Sequence, residues 1–149
     1  MKVIALRGKS NTGKTTVSRK LAEILISNGA SYKMYPNKID KYLQGELSPL
    51  PNGIWPRVDF IMECSFKGKE IGLASVGDYS EYSMAMLTFW NKRGKDLIVL
   101  CCRSRGRAVN RIKEEKDYAF VKMEKVTGGE NWQAYCLAKA TEIFEKYIA

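Results

Sequence analysis

Histidine is absent from this chain, and its absence excludes Ser-His-Asp and Cys-His nucleophilic machinery and histidine-ligated zinc. Proton transfer must fall to carboxylates, lysines, tyrosines or water. Cysteines are few. Cys64, Cys101, Cys102 and Cys136 show no Cys-x-x-Cys spacing, and the first three lie in segments that read as buried strand. They read as reduced core thiols, not as metal ligands or disulfides. Long hydrophobic runs are also missing. The longest extends only from Leu97 to Cys102, far short of the roughly 20 residues a helix needs to cross a bilayer. Arg7 and Lys9 interrupt the N-terminal apolar stretch too early for a signal peptide. The expectation is a cytoplasmic protein with no membrane partner.

What is present fits a single soluble domain spanning residues 1–149. The hydrophobic share is 45% and the charged share 28%, as in ordinary globular proteins. A domain of this length buries roughly two thirds of the surface that its unfolded chain exposes. Charge of one sign dominates, with 25 Lys and Arg against 16 Asp and Glu, a net +9. That surplus favours polyanionic partners, namely nucleotide phosphates, a phosphorylated small molecule or nucleic acid. The basic residues are densest between Lys92 and Lys116.

Periodicity supplies the elements. Met1 to Leu6 reads as a buried strand, and residues 13–28 as an amphipathic helix with Val17, Leu21, Ile24 and Leu25 inward. Ser31 to Tyr35 reads as a second strand. Pro36, Pro49, Pro51 and Pro56 then predict a long loop over 36–57 with one helical turn. Val58 to Phe66 and Glu70 to Val76, joined by Lys67-Gly68-Lys69, carry a hairpin signal. Further on, the pattern predicts a helix over 79–90 with Tyr82, Met86 and Phe89 on its stripe, and a strand over 97–102. A charged helix over 107–116, a strand over 118–126 and a last helix over 131–147 complete it. Strands alternating with helices imply an α/β fold, a three-layer sandwich whose mostly parallel sheet contains one antiparallel hairpin.

The strongest signal is Gly8-Lys9-Ser10-Asn11-Thr12-Gly13-Lys14-Thr15, an uninterrupted GxxxxGKT between the first strand and first helix. Such a loop curls around a phosphate with its backbone N–H groups pointing inward, and its glycines relieve the steric cost. The helix start adds free N–H groups and the positive end of its dipole. Lys14 is placed to reach the β- and γ-phosphates, Thr15 to put its hydroxyl on Mg²⁺, and Thr16 to contact the α-phosphate. Through these residues the chain resembles the P-loop NTPase superfamily. The resemblance implies a bound nucleoside triphosphate, ATP in the first place and GTP as the alternative, with magnesium. It covers about the first 29 residues and identifies no closer family.

The superfamily also uses an acidic residue at the end of a neighbouring strand for magnesium. Ile71-Gly72-Leu73-Ala74-Ser75-Val76-Gly77-Asp78 resembles that Walker B pattern and offers Asp78 as the ligand. Asp59 and Asp96 begin their strands, which places them at the wrong edge of the sheet. Arg103-Ser104-Arg105-Gly106 follows the strand at 97–102. If that strand parallels the first, Arg103 or Arg105 can clamp a phosphate or stabilise transferring charge.

Three narrower resemblances bear on activity. Gly8-Lys9 with Thr12 to Thr16 is similar to the deviant P-loop of dimerising ATPases, where the lysine reaches the partner's phosphates; here Ser10-Asn11 replaces the usual glycine. Asn91-Lys92 with Asp96 looks like a guanine-reading motif but has two extra residues and precedes its strand. The size and loop position resemble small nucleoside, shikimate or coenzyme kinases, with Asp40, Glu46 or Asp59 as base. The expected function is therefore Mg-dependent phosphoryl transfer or hydrolysis. A nucleotide-dependent switch or assembly ATPase working with nucleic acid or a protein partner is the alternative.

Overall fold

The computed structural model describes residues 1–77 and 79–149. Among these residues the strands are β1 (Lys2–Arg7), β2 (Ser31–Pro36), β3 (Phe60–Phe66), β4 (Lys69–Ala74), β5 (Leu97–Cys102) and β6 (Tyr118–Lys122). The helices are α1 (Lys14–Ser27), α2 (Ile39–Leu43), α3 (Ser80–Lys92), α4 (Arg107–Ile112) and α5 (Gly129–Ile143), the last closing in a π-helical turn at Phe144–Ile148. All six strands join one sheet in the order β2-β3-β4-β5-β1-β6. β1 is parallel to β5 and β6, and β4 is parallel to β5. Only β3 is reversed, antiparallel to both β2 and β4. The fold is α/β with a mixed, mostly parallel sheet.

The unbroken apolar runs of β1 and β5 follow from burial on both faces. Ile4 and Leu6 pack into one core with Val17, Leu21 and Leu25 of α1 and Cys136, Ala140 and Ile143 of α5. Val3 and Ala5 turn to the opposite core, with Ile39 and Tyr42 of α2, Met86, Leu87 and Trp90 of α3, and Ala108, Val109 and Ile112 of α4. The β3–β4 turn is tight because Lys67 and Gly68 take φ of 50° and 79°, the left-handed pair that matches hairpin twist. In β4, Gly72 lets Trp90 lie against the strand, since a Cβ there would fall 2.6 Å from the indole. Trp90 Nε1 donates to Tyr42 Oη at 3.0 Å, which ties α3 to α2.

Several boundaries differ from expectation for tertiary reasons. The buried stripe of α3 is Ser83, Met86, Leu87 and Trp90, with Tyr82 and Phe89 only partly covered. α4 stops at Ile112, because Lys113-Glu114-Glu115-Lys116-Asp117 offers nothing apolar to the core. β6 ends at Lys122 instead of Val126. The basic stretch 92–116 is partly spent on internal pairing. Lys95 is buried and 2.8 Å from Glu63 Oε1, while Arg111 pairs with Glu115 at 3.1 Å. Burial opposes charge on Glu63, but hydrogen bonds from Lys95 and Tyr42 prevail and hold its carboxyl below the ordinary value. No helix among the described residues is long and apolar enough to cross a membrane.

Candidate functional site

The Gly8–Thr15 loop is clamped at its foot by the strands beside β1. Gly8 N–H donates to the Cys102 carbonyl at 3.2 Å, and Met123 N–H donates to the Arg7 carbonyl at 2.8 Å. Gly8 has no space for a side chain, since a Cβ would lie 2.9 Å from both the Met123 carbonyl oxygen and Thr12 Oγ1. Asn11 and Gly13 supply the curl with φ of 62° and 91°. Behind Gly13 stands α5, so close that a Cβ would meet Cys136 Sγ at 2.8 Å and Trp132 Nε1 at 3.3 Å. Thr12 Oγ1 donates to the Lys9 carbonyl at 2.8 Å and pins the loop across itself.

Lys14 opens α1 yet is only 7% exposed. Its Nζ donates to the Gly8 carbonyl at 2.5 Å and to the Lys9 carbonyl at 3.3 Å. The ammonium is therefore held within the loop. No side chain caps α1, and its first turn carries no acidic residue. The free amides and the positive end of the helix face a cavity of about 400 Å³ lined by Gly13, Lys14, Thr15, Thr16, Asp59 and Trp132. Lys9, Ser10 and Asn11 stand exposed on the loop crest, and Thr16 is half-buried at its base. This set suits a polyphosphate.

Among the described residues the carboxylate at this cavity is Asp59, which corrects the expectation that it lay at the wrong edge. Because β3 is reversed, the start of β3 meets the same rim as the ends of β1, β4 and β5. Thr15 Oγ1 donates to Asp59 Oδ1 at 3.1 Å. Ser75, buried just beyond β4, donates to the same oxygen at 3.0 Å and accepts the Phe60 N–H at 2.9 Å. The signal was present in the hairpin itself: a hairpin brings the beginning of its first strand beside the end of its second. Asp78, the residue expected to hold magnesium, lies outside the described residues. Among the described residues no three carboxylates or thiols cluster as a metal cage.

Arg103 and Arg105 follow β5 on the same rim, and both are exposed. Arg7 Nε donates to the Ser104 carbonyl at 2.7 Å and ties this segment to the end of β1. Asp96 is at the opposite edge as expected, where its carboxylate accepts the Glu70 N–H at 2.8 Å. The cysteines are all buried and free. Burial pushes the Cys101 thiol up to about 12 and the Cys102 thiol up to about 11, against the pull of Lys14 on both. Neither is a thiolate nucleophile near neutral pH. No family model, curated protein or solved structure matches the chain, so its activity has to be read from this geometry.

Proposed function

We propose that the chain is a P-loop NTPase that binds ATP with magnesium and hydrolyses it or transfers its terminal phosphoryl group. The observation that carries this reading is the meeting of three groups from distant segments. The Lys14 ammonium lies inside the loop, the Thr15 hydroxyl lies at the helix start, and the Asp59 carboxylate stands 3.1 Å from that hydroxyl. Hydroxyl and carboxylate oxygens are the donors a hard cation takes, and Ser75 fixes the carboxylate that would share it. Magnesium, when bound, neutralises charge on the β- and γ-phosphates.

The protein's own part is positioning and electrostatics, which phosphoryl transfer chiefly needs. Loop amides and the α1 terminus orient the polyphosphate, and the buried Lys14 sets a positive charge against it. Arg103 and Arg105, exposed on the same rim, are the cations for charge that develops on transfer. Asp96 is engaged with Glu70 at the far edge, so the guanine-reading set loses its carboxylate and ATP remains the favoured nucleotide. The exposed Arg103, Arg105 and Arg107 favour one further reading, in which a nucleic-acid strand or protein partner docks on the rim and accelerates turnover.

The test is equilibrium binding of ATP, GTP and inorganic triphosphate, with phosphate release measured with and without magnesium. The parent is expected to bind and turn over ATP, and Lys14→Ala to lose both. Equal ATP affinity in parent and variant would refute the reading.

A further inference from the structure

A second cavity, of about 620 Å³, opens on the outer side of the same loop. Its volume falls within the range of small-molecule sites. It lies beside β6, an edge strand of the sheet. Tyr118 and Phe120, paired with Val3 and Ala5 of β1, lie on the α2–α4 side, where Phe120 is only partly buried against that core. Their rings meet edge to face at 5.5 Å. Tyr118 is 39% exposed, and Phe120 lines the cavity wall with Met123.

Cations gather around this apolar wall. The Arg7 guanidinium lies 4.9 Å from the centre of the Phe120 ring. Its Nε donates to the Ser104 carbonyl at 2.7 Å, which restrains the guanidinium beside the ring. Lys9, Lys122 and Lys125 also line it, with Glu124 the one carboxylate among its described lining residues. A neutral ring needs an aromatic and apolar wall but not four cations. The combination calls for a planar aromatic group that carries its own phosphate.

We propose that this cavity is a separate nucleotide site, which takes a nucleoside monophosphate with its base on Phe120 and its phosphate among Arg7, Lys9, Lys122 and Lys125. It does not rest on the triphosphate reading, because the polyphosphate cradle faces the other cavity, with Lys14, Thr15, Thr16 and Asp59. The two sites share only the loop crest at Ser10, so a ligand in one bears on the loop that forms the other.

The experiment is calorimetric titration with AMP, adenosine and inorganic phosphate, using the parent with and without saturating inorganic triphosphate, and Phe120→Ala and Phe120→Trp. AMP is expected to bind the parent both with and without the triphosphate, and more tightly than adenosine or phosphate alone. Phe120→Ala should weaken it about 5- to 150-fold, the range for one base stacked on an aromatic side chain, and Phe120→Trp should restore it. Should Phe120→Ala fail to fold, the surface pair Lys122→Glu and Lys125→Glu must weaken AMP in its place. The site is refuted if AMP does not bind the parent at millimolar concentration. It is refuted equally if Phe120→Ala, or the lysine pair where that stands in, binds AMP like the parent. Loss of AMP binding when inorganic triphosphate saturates the cradle also refutes it, since AMP would then be occupying the cradle. Failure of ATP to bind, with AMP binding intact, would sink the proposed function and leave this site standing.

Discussion

Replacing Ser75 by alanine removes one hydroxyl that serves two partners, and its cost follows from their surroundings. Ser75 is 2% exposed, and the Phe60 N–H it accepts belongs to a residue with no exposed surface. A buried N–H left without its acceptor costs roughly 1–3 kcal/mol. The hydroxyl's other bond goes to the Asp59 carboxylate, which is half-buried and partly recovers water, so its loss adds about 1 kcal/mol. The sum is roughly 2–4 kcal/mol, which for a domain of this size lowers Tm by about 5–15 °C. Thermal unfolding followed by circular dichroism reads this directly. Ser75→Ala should also loosen the Asp59 carboxylate against Thr15, so magnesium-dependent turnover should fall while triphosphate binding through Lys14 persists. A double-mutant cycle with Asp59→Ala, which removes the accepting oxygen, should give a coupling of about 0.5–3 kcal/mol. An unchanged Tm, or strictly additive effects of the two substitutions, would refute the reasoning.

Asp59→Asn keeps an oxygen for Thr15 and Ser75, so it should stay folded yet need at least tenfold more magnesium for half-maximal turnover; an unaltered magnesium titration would rule Asp59 out as the metal anchor. Gly13→Ala forces a side chain into a φ of 91° and against Cys136 Sγ, so ATP affinity should drop by tenfold or more, and normal affinity in a binding titration would contradict the described curl. Gly72→Ala drives a methyl into the fully buried Trp90 ring and should cost roughly 1–3 kcal/mol by urea unfolding. The thiols of Cys64 and Cys101 are pushed up to about 12 and that of Cys102 up to about 11 by burial, from an ordinary value near 9.0. Above pH 9 the unfolded chain therefore holds fewer protons than the native one, and stability should decline by about 1.4 kcal/mol per thiol per pH unit. Urea midpoints at pH 8, 9 and 10 that do not fall would refute that.

The glycine-rich loop, β1 and α1 were readable because their signals are local: a continuous apolar run, a spaced pair of glycines and a 3.6-residue stripe. The β3–β4 hairpin was readable from Lys67-Gly68. Strand direction within the sheet is not a local property. Treating Asp59 as the start of a parallel strand sent it to the far edge, whereas the reversal implied by the hairpin returns it to Thr15. Ser75 carried no signal at all, being a small residue in an apolar run whose value depends on a partner sixteen positions away. The length of α4 was overestimated because its charged continuation has helical propensity but no surface to cover. Lys95 looked like part of a basic face and is an internal partner of Glu63.

The close seat of Gly13 against Cys136 and Trp132 has a consequence during synthesis. Residues 8–15 leave the ribosome long before residues 129–143, yet the arc they must adopt is shaped on one side by that late helix. A nascent chain that lacks α5 has the sequence for the cradle without the wall that bends it. On the proposed function, nucleotide capture waits until α5 docks, and a nucleotide in the finished cradle would hold the first helix and the last together.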